Sequence, residues 1–87
     1  MIFRLSEPFS SKLGKELQID IKQSIPLLKL IEFLPKEIFK FIPHQERLND
    51  NQVSAHILFF RNEQLMKIDD QVNDSDVIRI MLPVTGG

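Results

Sequence analysis

Apolar and polar residues alternate over Leu17-Gln18-Ile19-Asp20-Ile21-Lys22, the period-two pattern of a strand with one buried face. Ile2-Phe3-Arg4-Leu5 is a second short β-prone run. The polar stretch between them, Ser6 to Lys15, is interrupted by Pro8 and Gly14 and reads as the loop of a hairpin. The period then changes. Leu27, Leu30, Ile31 and Leu34 recur at spacings of three and four, which predicts a helix over 25–34. Ser24 is placed to cap it, and Pro26 falls in the first turn, where a missing amide donor costs little. Pro35 would clash with the carbonyl of Ile31, so the stripe is expected to break there. A short second helix over 36–42 follows, with Pro35 as its first residue, Ile38, Phe41 and Ile42 on its apolar face and Pro43 as its stop.

Residues 44–54 are polar and read as loop. Ala55 to Phe60 predicts a strand, Arg61-Asn62-Glu63 a turn, and Gln64-Leu65-Met66-Lys67 a shorter strand. Asp69 to Asp76 forms an acidic connection, and Val77-Ile78-Arg79-Ile80-Met81-Leu82 is a last strand rich in β-branched residues. The order β-β-α(α)-β-β-β is an α+β arrangement. It calls for a mixed sheet of four or five strands, with one main helix and a short second helix packed on one face.

Eighty-seven residues suffice for one domain, and 43% hydrophobic with 26% charged residues matches an ordinary folded protein rather than a disordered one. No apolar run reaches the ~18 residues that a bilayer span requires, because Lys29 and Glu32 interrupt the best candidate. The N-terminal residues lack the apolar centre of a secretory signal, and the chain contains no cysteine. A cytoplasmic protein is expected, without disulfides, thiolate metal sites or a cysteine nucleophile. Residues 1–48 carry a net +2 and residues 49–87 a net −3. No basic patch of the kind that binds nucleic acid stands out, and a small acidic excess on loops is ordinary solvation.

A catalytic set is not evident. His44 and His56 stand apart from other candidate ligands, and the former reads as a loop residue, the latter as a strand residue. Asp69, Asp70, Asp74 and Asp76 suggest a calcium loop, but no glycine supplies its sharp turn and no glutamate closes it, so they read as turn formers. A phosphate-cradling glycine loop is also missing, since the three glycines are Gly14, Gly86 and Gly87. The chain is therefore expected not to be an enzyme by itself, with no bound cofactor and no metal. Two of its three glycines are the last two residues. Glycine there offers a thin backbone able to enter a narrow passage, and Pro83 ahead of it cannot donate to a sheet ladder. The expected organisation is a domain over 1–82 and a projecting tail over 83–87.

The ending Asp76-Val77-Ile78-Arg79-Ile80-Met81-Leu82-Pro83-Val84-Thr85-Gly86-Gly87 resembles that of the MoaD/ThiS sulfur carriers and the ubiquitin-related modifiers. Those proteins are of this size and element order, and end in an Asp-Gly-Asp turn, a hydrophobic strand and Pro-Pro-Val-(Ser/Ala/Thr)-Gly-Gly. Here the turn reads Asn73-Asp74-Ser75-Asp76, with Ser75 for the glycine, and Leu82 stands at the first proline. The resemblance is specific over about the last fifteen residues and architectural elsewhere, with Phe60-Arg61-Asn62-Glu63-Gln64 where family members carry a strand and an Asn-Gly type turn.

The resemblance implies a ubiquitin-like β-grasp fold and a carrier acted on by an ATP-dependent activating enzyme. That enzyme would adenylate the terminal carboxylate of Gly87, with Gly86 keeping the approach open and Pro83, Val84 and Thr85 entering the partner's active site. The activated carboxyl then takes sulfur as a thiocarboxylate, for a cofactor precursor or transfer RNA, or passes to a lysine of a target protein. Partners would include the activating enzyme and a sulfur donor. Two alternatives stay open: the small subunit of molybdopterin synthase, its tail held in a large catalytic subunit, and a β-grasp interaction module with no carrier activity. Neither a membrane nor direct nucleic-acid binding is expected. On the last strand, the parity of Arg79 should face away from the helix and expose Val77 and Met81. With an outward Phe59 these residues are expected to form the patch that docks the activating enzyme.

Overall fold

Strict alternation organises the sheet. In β1 (Ile2–Leu5), Phe3 and Leu5 are buried and Arg4 is exposed. In β7 (Val77–Met81), Ile78 and Ile80 are fully buried between exposed Val77 and Arg79. The computed structural model, which describes residues 1–42 and 49–83, runs these two strands parallel, with Phe3 opposite Ile78 and Leu5 opposite Ile80. Around this pair β2 (Glu16–Gln18), β4 (Leu58–Arg61) and β5 (Gln64–Leu65) complete a mixed five-stranded sheet in the order β2-β1-β7-β4-β5. The last strand in sequence is thus central in space, antiparallel to β4 on one side and parallel to β1 on the other. This is the β-grasp arrangement, an α+β fold.

The connections carry short helices: α1 (Phe9–Leu13), α2 (Leu27–Ile31), α3 (Lys36–Phe39) and α4 (Asp50–Ser54). Leu27, Leu30 and Ile31 of α2 and Ile38 of α3 join Phe3, Phe59, Ile78 and Ile80 in one core, each side chain contributing about 1.5–3 kcal/mol through removal from water. The helix expected over 25–34 is shorter at both ends. Ile25–Pro26 is instead β3, paired antiparallel with β6 (Gln71–Val72), while Ser24 donates to the side chain of Gln71 rather than capping. The first amides of α2 are taken by the carbonyls of Asp70 and Ile68. At the other end Glu32, Phe33 and Leu34 bond three residues back, a tightened turn that delivers the chain to Pro35 in an extended conformation. Pro35 therefore caps α3 rather than opening it.

Three further expectations are corrected. The loop between β1 and β2 contains α1, whose Phe9 is buried against the edge of Phe41 at 5.3 Å between centroids. It ends at Gly14, whose φ of 89° and ψ of 175° suit glycine alone. The loop over 44–54 ends in α4, held by a reciprocal capping box in which Asn49 accepts from the Gln52 amide and Gln52 from the Asn49 amide. The strand expected from Ala55 starts at Leu58, because Ala55, His56 and Ile57 complete the last turn of α4. The alternation over 17–22 persists in burial, but the β1–β2 ladder ends where the Ile19 amide meets the Met1 carbonyl. The Pro43 stop, His44 and the rest of 43–48 lie outside the described residues, as do residues 84–87. Among the described residues no helix is long and apolar enough to cross a membrane.

Candidate functional site

The helices cover one face of the sheet, and the other face carries the concave surface of interest. Register builds it. Arg4 stands opposite Glu16 on β2 and opposite Arg79 on β7, and Arg79 stands opposite Phe60 on β4. Ile2 is opposite Val77, and Leu58 opposite Met81. The result is a depression of about 440 Å³ floored by Arg4, Arg79 and Phe60, with Val77 and Met81 along β7 and the turn residues Asn62 and Glu63 at one end. A second hollow adjoins it across Arg4, reaching Lys15 and Glu16.

The β4–β5 turn is a two-residue loop in which both Asn62 (φ 52°) and Glu63 (φ 65°) are left-handed, the twist-matched geometry of a tight hairpin. Asparagine tolerates this readily; glutamate does so at a cost. The start of β7 is fixed by hydrogen bonds in the preceding turn. Asp76 accepts from the Asn73 amide at 2.9 Å and from Arg61 Nη1 at 2.8 Å, and Arg61 Nη1 also donates to the Gln71 carbonyl at 2.7 Å. Asp74 accepts from the Ile21 amide at 3.1 Å and from the Met1 α-ammonium at 3.2 Å. The Ile21 amide first, then the α-ammonium, hold the Asp74 carboxyl below its usual range. At the far end of β7 the Ser6 hydroxyl donates to the Ile80 carbonyl, Leu82 packs against the core, and Pro83 is half-buried.

Val77 and Arg79 are exposed and Met81 is half-buried, all on the outer face, as the parity of β7 predicts. Phe59 is corrected: it is 2% exposed, points into the core and lies tilted against Phe3 at 6.4 Å. Phe60 occupies the outer position expected of Phe59. A run that is apolar from Ile57 to Phe60 has no internal parity. Its polar neighbour Arg61 misleads, because Arg61 shares the parity of Phe59 yet turns its guanidinium to Asp76 at the sheet edge. Arg4 was missed altogether, although its place between buried Phe3 and Leu5 marks it as outward. Of the tail, Pro83 is described; Val84, Thr85, Gly86 and Gly87 lie outside the described residues. His56 is exposed in the turn after α4. Among the described residues no three His, Cys, Asp or Glu side chains group as metal ligands.

No protein-family model matches the chain, and no curated protein does. Among solved structures it is similar to the crystal structure of SAMP1 from Haloferax volcanii, with a TM-score of 0.68 over 99% of this chain and 97% of that one, at 16% sequence identity. At that identity the likeness concerns the fold, and it joins the strand order and register in showing a ubiquitin-like β-grasp domain.

Proposed function

We propose that this chain is a ubiquitin-like carrier or modifier whose reactive group is the carboxylate of Gly87. The observation that carries the reading is the placement of the Leu82-Pro83-Val84-Thr85-Gly86-Gly87 segment directly after the central strand of a β-grasp sheet. Such a segment follows a strand paired on both sides, and its glycines present little bulk to an active site that must close around a carboxylate.

A carboxylate is a poor electrophile, so an activating enzyme first transfers AMP from ATP to the Gly87 carboxylate and releases pyrophosphate. Hydrosulfide attack on the acyl-adenylate expels AMP and leaves a thiocarboxylate. Attack by a persulfide gives an acyl persulfide, whose sulfur–sulfur bond a further thiol cleaves to the same product. A lysine amine at the same carbon gives an isopeptide bond and AMP. In this reading the globular domain is gripped through the outer face at Val77, Arg79 and Met81, while Pro83, Val84 and Thr85 thread the tail inward. ATP belongs to the activating enzyme rather than to this chain.

Mass spectrometry of the chain in every form recovered from its native cells tests the proposal. Trypsin cuts after Arg79, so a modified lysine would carry the branch Ile-Met-Leu-Pro-Val-Thr-Gly-Gly. That branch on other proteins establishes a modifier, and a free chain with one terminal oxygen replaced by sulfur establishes a sulfur carrier. Tight recovery with one larger subunit favours the synthase-subunit form. A chain found only unmodified, and inert to ATP with extracts of the same cells, removes the proposal. Gly86→Ala and Gly87→Ala are expected to block activation and leave the thermal melting curve unchanged.

A further inference from the structure

Arg4 and Arg79 face each other in register on the two central parallel strands, and among the described residues neither is in an ion pair. Among the described residues neither side chain donates a hydrogen bond, and Glu16, opposite Arg4 on the other side, does not pair with it. Like charges opposite each other disfavour a sheet, so this pair does nothing for the fold. Both arginines line the outer depression together with Phe60, Val77 and Met81. An anion seated there would be shielded on its apolar side, where charge-assisted hydrogen bonds to a planar guanidinium are strongest.

The size of the basic feature selects the ligand class. Two arginines in the depression, with Lys15 in the adjoining hollow, match one or two carboxylates; Glu63 closes the opposite end. A nucleic-acid track needs a longer basic stripe, and this chain has a net charge of −1. We propose that the depression receives an acidic segment of the activating enzyme, one carboxylate bridging Arg4 and Arg79 while an adjacent apolar side chain rests on Phe60, Val77 and Met81. This rests on the carrier reading above, and it adds the sign of the partner's charge and the residues that read it.

The test uses the full chain and the activating enzyme purified from the native cells by its ATP-dependent adenylation of Gly87. For the double variant Arg4→Gln/Arg79→Gln, KM for the chain is expected to rise about tenfold or more with kcat unchanged. The increase of KM with salt seen for the wild type should flatten in that variant, since the charge pairing that salt screens is gone. Arg79→Glu should raise KM further, and Arg79→Lys should restore part of the affinity. A double variant with wild-type KM and wild-type salt dependence overturns the acidic-partner assignment while leaving the carrier reading standing. Failure of the wild type to be adenylated overturns both. Loss of retention on single-stranded RNA by the double variant, with KM unchanged, replaces the acidic partner with a nucleic acid.

Discussion

Arg61 reaches from the end of β4 to Asp76 at the threshold of β7, Nη1 to Oδ2 at 2.8 Å, and so ties β4 to the turn that launches its neighbour, the central strand. Both side chains are largely withdrawn from water, at 28% and 20% exposure, and Asp76 is also bonded by the Asn73 amide. Arg61→Ala therefore leaves a partly buried carboxylate short of a donor. It is expected to lower unfolding stability by about 1–2 kcal/mol in urea titrations.

Adjacent phenylalanines have separate tasks. Phe59→Ala opens a cavity beside Phe3 and Ile80 and is expected to cost about 3–5 kcal/mol. Phe60→Ala, on the outer face, is expected to cost under about 1 kcal/mol while raising KM for activation. A chemical melt of both variants, followed by the adenylation assay on Phe60→Ala, separates core from surface.

At two positions of positive φ, removing a glycine and introducing one have opposite effects. No atom would obstruct a Cβ on Gly14, so Gly14→Ala measures the backbone term alone, a loss of about 1–3 kcal/mol. Glu63→Gly relieves a left-handed glutamate and is expected to add about 0.5–1 kcal/mol. In a domain of this size each kcal/mol moves the melting temperature by about 4–8 °C, well within calorimetric precision.

Acid should act on the Asp74 linkage. Because the folded protein holds this carboxyl below the ordinary value of 3.8, its ionised form is favoured on folding. The contribution is full above that value and disappears as pH falls through the lower folded value. Glu7, held down by the hydroxyls of Ser11 and then Ser10, behaves alike. Urea midpoints measured from about pH 6 to about pH 2 are expected to fall below about pH 4, less steeply for Asp74→Asn than for the wild type.

The strands β1 and β7 were legible because their side chains carry a burial code, Phe3 and Leu5 against Arg4, Ile78 and Ile80 against Arg79; β4 was legible as an apolar run before a turn, but its parity was not. The apolar stripe of α2 was legible for the same reason, although its length was not. Tertiary hydrogen bonds from Asp70 and Ile68 decide where α2 starts, and no local pattern reports them. The helix α4 presents one buried residue, Val53, too few for a period; its only local mark is the Asn49–Gln52 capping pair. The two-residue strands β3 and β6 exist through each other and carry no signal alone. At the site, the outward parity of Val77, Arg79 and Met81 was readable, whereas the Arg4–Arg79 juxtaposition depends on parallel pairing across more than seventy residues of chain.

The last of the described strands in sequence supplies the middle of the sheet. While it is still inside the ribosomal tunnel, β1 and β4 have no common neighbour, and the core lacks Ile78 and Ile80. The sheet is complete only once β7 has left the tunnel and can pair with both neighbours. A message broken or a chain clipped upstream of residue 77 leaves a fragment without a centre, open to proteolysis. In the carrier reading proposed above, an enzyme that reads the sheet face before accepting the tail would check, in one encounter, that β7 is in place.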